Sequence, residues 1–195
     1  SERYGYVKPE EAIIREQITP EIQNAMCNCL HFFSEQLRSD YYYIKQYIWG
    51  YFLNQRIDLF DSRPDIIKNY IQNDKIEWFK KLDLIEKVIE KSYISGKTDI
   101  VHSFTQLLNS EFERLNFAYK IVENQILEIT SEQEIKTIET AIDNNKDNVR
   151  FHLNNALKLY AQRPDADYRN SIKESITSVE AFTREITGDK GLNLA

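Results

Sequence analysis

Five glycines and four prolines are spread over 195 residues, so the backbone has few places where it turns cheaply or is forced out of a helix. A chain so poor in turn formers builds long elements, and its apolar residues recur at three- and four-residue intervals, which makes most of those elements helices. With 42% hydrophobic and 29% charged residues it has enough apolar content for a core. That composition excludes a disordered tail, a collagenous repeat and a disulfide scaffold.

Thr19-Pro20-Glu21 reads as a helix start: a threonine oxygen for the N-cap, proline where its missing N–H costs nothing, and an acid at the positive helix end. Ile22, Met26, Cys29, Leu30, Phe33 and Leu37 keep helical spacing, predicting a helix from Pro20 to Arg38. Asp40 is expected to cap the next. Its residues Tyr41, Tyr42, Tyr43, Ile44, Tyr47, Ile48, Trp49, Tyr51, Phe52 and Leu53 are apolar or aromatic around most of the circumference, so more than one side must be covered. Core packing covers such a helix; so does a dimer or partner surface, for which Tyr42, Tyr43, Tyr47 and Trp49 are the candidate interface residues.

Asp61-Ser62-Arg63-Pro64 breaks the chain, and Asp65 to Tyr70 forms a short amphipathic turn or helix. Asp74 is expected to start a stronger helix, with Trp78, Leu82, Ile85 and Ile89 inward and Lys80, Lys81, Asp83, Glu86, Lys87 and Glu90 on the other face. Ser95-Gly96-Lys97-Thr98 ends it, and the next buried stripe comprises Ile100, Val101, Phe104, Leu107, Leu108, Phe112 and Leu115. The Ser-Gly-Lys-Thr string resembles the end of a phosphate-binding loop, but Lys91 stands where the earlier glycine is required and no apolar strand precedes it. From Phe117 to Ile129, β-branched and aromatic residues flank a polar Glu-Asn-Gln tip, the pattern of a hairpin. Thr130 to Gln133 fits a capping box ahead of Ile135, Ile138, Ala141 and Ile142. Lys146 to Arg163 is helical, with Val149, Leu153, Ala156, Leu157 and Tyr160 inward, and a last helix runs from Tyr168 to Ile186 until Gly188 stops it. The chain is therefore expected to be mainly α, a multi-helix bundle with one short two-stranded β-hairpin. The change of rhythm at Phe117 divides it into an aromatic-rich helical region, 1–116, and a hairpin-plus-helices region, 117–195.

A net charge of −6 and a pI near 5.2 give no global reason to bind nucleic acid, leaving only a local basic groove for that purpose. The apolar run Ile44 to Leu53 is broken by Lys45, Gln46 and Gly50, so no membrane span is predicted. Cys27 and Cys29 lie two apart on a helix and point in different directions, and no secretory start is present, so a reducing cytoplasmic setting is expected. The chain opens at Ser1 without a methionine, as a trimmed sequence does.

The opening Ser1-Glu2-Arg3-Tyr4-Gly5-Tyr6, the string Ile129-Thr130-Ser131-Glu132, Glu134-Ile135 through Ile138-Glu139, and Asp167-Tyr168-Arg169-Asn170-Ser171-Ile172-Lys173-Glu174-Ser175-Ile176 with Val179-Glu180-Ala181 are similar to the AbiJ amino-terminal domain family of bacterial abortive-infection proteins, in its fourth variety. The resemblance implies that 117–195 precedes or joins a HEPN-type helical bundle, a class that often cuts RNA in antiphage responses. HEPN ribonucleases carry an arginine followed four to six residues on by a histidine, paired across a dimer. None of His31, His102 and His152 has an arginine at that spacing upstream, and after Arg169 the places where the histidine would fall hold Glu174, Ser175 and Ile176. Similar proteins continue beyond the equivalent of Gly188 to Ala195, where such a motif has room.

The resemblance thus implies either a non-catalytic sensing or interaction module of an abortive-infection protein, or a HEPN-type ribonuclease whose Arg-His motif lies beyond residue 195. The partners implied are a second copy, or RNA or a phage-derived protein engaged through the full-length protein. No cofactor and no metal are expected, because no histidine has further ligands at helical spacing. Arg150 and His152 lie on different helix faces, so an exposed or capping His152 is expected. Arg169, Asn170, Lys173 and Glu174 form the polar constellation to watch, two pairs spaced four apart beside the apolar Ile172, Ile176 and Val179 stripe. These residues either make ion pairs with neighbouring helices while Asp165 or Asp167 caps their own, or present cations to phosphate or to a partner's carboxylates.

Overall fold

In the computed structural model, which describes residues 13–128, 137–138, 140–142 and 147–187, the chain divides between Ala118 and Tyr119 into two units. The expectations for Ser1 to Tyr6, for the capping box over 130–133, for Ile135 and for Gly188 lie outside the described residues.

The first unit is helical. In α1 (Pro20–Leu37) the Thr19 hydroxyl accepts the Ile22 N–H at 3.4 Å, and Arg38 ends the helix at a left-handed φ of 52°. Its buried residues include Ile22, Met26, Cys29, Leu30, Phe33 and Leu37, the stripe read from their spacing. A second helix, α2 (Asp40–Tyr47), begins at Asp40, which is its first residue and not its cap; Ser39 precedes it without a side-chain cap. The helix then widens into a π-helical turn, Ile48–Phe52, followed by a 3₁₀ turn, Ile57–Leu59. Gly50 lies against the Ile57 side chain, which a Cβ at that position would displace. Helix α3 (Ile66–Gln72) is capped by Asp65, which accepts the Lys68 N–H at 3.3 Å.

Helix α4 (Trp78–Ile94) starts four residues later than expected. Asn73 accepts from the Lys75 and Ile76 N–H groups and turns the chain at Asp74. Leu82, Ile85 and Ile89 are buried as read, but so is Lys81, which the spacing had assigned to the polar face. In α5 (Thr98–Arg114), Val101, Phe104, Leu108 and Phe112 are buried, whereas Leu107 is exposed. Phe33 stacks on Phe104 with ring centroids 4.3 Å apart, joining α1 to α5. Gln23 Nε2 donates to the Ile71 carbonyl at 2.8 Å, joining α1 to α3. Ile14 forms a parallel bridge with Phe117, so Phe117 and Ala118 are held in this unit.

The second unit opens with the antiparallel hairpin of β1 (Tyr119–Val122) and β2 (Gln125–Glu128), in the register Val122 opposite Gln125. Its two-residue loop is Glu123-Asn124, both at positive φ, 48° and 65°, a primed turn that matches the twist of the strands and suits asparagine. Residues 137–138 and 140–142 are helical, and Ile142 is buried. Helix α6 (Asp147–Tyr160) ends before the expected Arg163, and Tyr160 is exposed. The Asp167 N–H donates to the Leu159 carbonyl at 3.1 Å, which closes the helix end. Helix α7 (Tyr168–Thr187) packs on α6 through small residues: Ser171, Ser178 and Ala181 are buried, and the Ser171 hydroxyl donates to the Ala156 carbonyl at 2.9 Å. Ile172, Ile176 and Val179 are therefore left exposed. Two hydroxymethyl side chains and one methyl let the backbones approach closely, and bulky aliphatics in the same row would hold them apart.

Candidate functional site

In the first unit, Tyr41, Ile44 and Ile48 are the buried face of α2 and its π turn. The Tyr41 hydroxyl donates to Asp65 Oδ1 at 3.1 Å, and Asp65 also pairs with Lys68 at 3.2 Å. Burial, with Asp65 beside it, holds the Tyr41 phenol above its ordinary value, so it stays a neutral donor. Lys97 fixes the start of α2 through Asp40 at 2.6 Å. With that face anchored, Tyr42 and Tyr43 must point outward, and Tyr43 is 62% exposed. Tyr51, on the π turn, is 74% exposed, its ring stacked on Tyr47 at 5.1 Å. Lys91 Nζ sits 5.1 Å from the Tyr47 ring, a cation–π contact. Trp49 donates through Nε1 to the Arg56 carbonyl at 2.8 Å and leans on Phe60, against which Tyr42 also packs edge-on. Of the four aromatic residues singled out from the sequence, Tyr42 and Tyr43 are thus exposed, while Tyr47 and Trp49 are half-buried supports. The exposed Leu59, supplied by the 3₁₀ turn, has no periodic signal in the sequence.

In the second unit, Arg169, Asn170, Lys173 and Glu174 do not converge. Asp167 caps α7, accepting the Asn170 backbone N–H at 3.1 Å and its side-chain amide at 2.7 Å. Those two bonds hold the Asp167 carboxyl below its ordinary value, with Lys173 and Arg169 adding to the effect. Glu174 turns towards α6, where its Oε2 lies 2.7 Å from His152 Nδ1. His152 is consequently half-buried and neither exposed nor a cap; a contact between residues 22 apart leaves no local pattern in the sequence. Arg169 and Lys173 are exposed.

A cavity of about 290 Å³ lies within this unit, lined by Val122, Leu127, Ile138, Leu153 and Leu157, with Ser171 and Ser175 among its polar members. Both hydroxyls already donate to backbone carbonyls, of Ala156 and Ser171 respectively. Neither is held by a base that would make it a nucleophile. His31 and His102 are exposed in the first unit. Among the described residues, no group of three or more His, Cys, Asp or Glu side chains is placed to hold a metal ion, and no helix is long and apolar enough to cross a membrane. Cys27 and Cys29 are buried free thiols; burial raises both, Cys29 to about 12.

The sequence model of the family described as AbiJ N-terminal domain 4 matches residues 1–144, which takes in the opening string and those at 129–139 and ends before the string at 167–181. No curated protein and no solved structure matches the chain.

Proposed function

The chain belongs to the AbiJ N-terminal domain 4 family of abortive-infection proteins, and on that premise we propose that it is a non-catalytic sensing or interaction module of an antiphage defence protein. The observation that carries this reading is the outward aromatic surface of the first unit, where Tyr42, Tyr43 and Tyr51 stand on a buried Tyr41–Asp65 anchor. Tyrosine supplies large, rigid contact area with a polar tip at a cost of two rotatable bonds, and interfaces are enriched in it. A π turn interrupting a helix is frequent at functional sites, and here it carries the exposed Tyr51.

In this reading the region 1–116 recognises a partner and the region 117–195 passes the signal to a HEPN-type effector. The trigger is a phage-derived protein, with RNA or a second copy as the other partners to test, and the setting is the cytoplasm, in keeping with two free buried thiols. The test is a plaque assay in cells carrying the full-length defence gene. Tyr43→Ala with Tyr51→Ala lowers protection at least tenfold while the purified chain keeps its helical circular dichroism. Full protection by that folded variant would refute the aromatic surface as the working face. Loss of protection on changing Arg169 and Lys173 alone would move the function to the second unit.

A further inference from the structure

Helix α7 presents six large apolar side chains, Tyr168, Ile172, Ile176, Val179, Phe182 and Ile186, each 44 to 69% exposed. Their spacing of four, four, three, three and four is a continuous stripe along the helix. At roughly 150 to 250 Å² for a large side chain, those fractions leave on the order of 600 Å² of apolar surface, the size at which a patch on a monomer marks a binding site. Its edges differ. One edge adjoins the small residues packed on α6; a 100° step per residue puts Arg169 and Lys173 on the other, beside Ile172 and Ile176. Farther along that edge Glu180 and Arg184 pair at 3.5 Å, and Asp167 at the helix start interacts with Arg169 and Lys173, so three cations face two carboxylates and the edge keeps a positive excess.

We propose that this stripe is a docking site for an acidic amphipathic helix, which lays apolar residues at i, i+3, i+4 and i+7 on Ile172, Ile176 and Val179 and sets carboxylates against Arg169 and Lys173. The cations of the edge suit carboxylates on a partner helix. Two-fold antiparallel pairing of α7 with itself would set Arg169 against the second copy's Arg184 and, in the same register, Lys173 against the second copy's Glu180, so self-pairing is the alternative that the experiment below separates. The site lies wholly in the second unit and stands independently of the reading of the first.

The probe is a synthetic three-heptad amphipathic helix with leucines on one face and glutamates at its edges, beside a twin whose edges carry lysine. Fluorescence anisotropy with the full chain is expected to show the glutamate helix binding at least tenfold more tightly than the twin, the difference shrinking as salt is raised. Ile176→Asp abolishes binding of both helices, and Arg169→Glu with Lys173→Glu reverses the preference; all three positions are exposed, and circular dichroism of each variant verifies the fold. Equal binding of the two helices, or none, overturns the proposal. So does a sedimentation profile in which the unmodified chain is a dimer that Ile176→Asp dissociates, which assigns the stripe to a second copy. Displacement of the glutamate helix by single-stranded RNA, lost in the double charge variant, overturns it in favour of phosphate recognition.

Discussion

Removing one hydroxyl from Tyr41 tests whether the aromatic surface depends on a buried anchor. Tyr41 is 7% exposed and its hydroxyl donates to Asp65 at 3.1 Å. In Tyr41→Phe the carboxylate keeps the Lys68 N–H and ammonium, so it is not orphaned, and the loss is that of one charge-assisted hydrogen bond, about 1.5 kcal/mol. Asp65→Ala removes the α3 cap, about 1 kcal/mol, and leaves the buried phenol without its partner, about 1 to 3 kcal/mol more. Because the two changes remove the same bond, the double variant should fall short of the sum of the singles by about 1 to 2 kcal/mol. Urea unfolding followed by tryptophan fluorescence measures it, since the chain's two tryptophans, Trp49 and Trp78, both lie in the first unit. A pH series gives an independent reading. The folded phenol is raised above its unfolded value, so its contribution is complete below about pH 10 and declines as pH rises, by up to about 1.4 kcal/mol per unit. Tyr41→Phe lacks that component and should lose stability more slowly above pH 10. Strict additivity of the two substitutions, or identical alkaline slopes, would refute the anchor.

The α7 orientation predicts unequal effects on one helix: Ser178→Leu overfills the seam with α6 and costs about 1 to 3 kcal/mol, whereas Ile176→Ser at an exposed position stays within about 0.5 kcal/mol. Thermal melts with equal shifts for the two would mean that the helix faces the other way. Burial holds both thiols above their ordinary value, Cys29 at about 12, so iodoacetamide at pH 8 should label Cys27 and Cys29 only at the rate of unfolding; immediate labelling of the native chain would contradict their placement. Purified chain is expected to leave single-stranded RNA and transfer RNA intact, since no histidine has the arginine spacing that HEPN cleavage uses. Specific cleavage abolished by His152→Ala or Arg169→Ala would restore the ribonuclease reading.

Much of the fold was legible without coordinates. Thr19-Pro20-Glu21 marks the start of α1 because capping and proline geometry act between near neighbours. The polar Glu-Asn-Gln tip between β-branched and aromatic residues marks the hairpin, although the loop is only Glu123-Asn124 and Gln125 already belongs to β2. Asp74 misled for the same reason: acids suit helix starts, but Asn73 had already taken the neighbouring N–H groups into a turn.

The functional surfaces were legible only in part. Tyr42 and Tyr43 could be picked out as interface candidates, but the face of α2 that turns inward is set by Tyr41 meeting Asp65, 24 residues away. On α7 the sequence offers two rows at helical spacing, small residues at 171, 178 and 181 and large apolar ones at 172, 176 and 179. Amphipathic spacing favours burying the large row. The close approach of α6 at Ala156 and the pairing of His152 with Glu174 select the small row and turn the large one outward. Periodicity specifies that a helix has an apolar stripe; which stripe meets the core depends on the shape of a neighbour that is distant in the chain, and no local pattern carries that information.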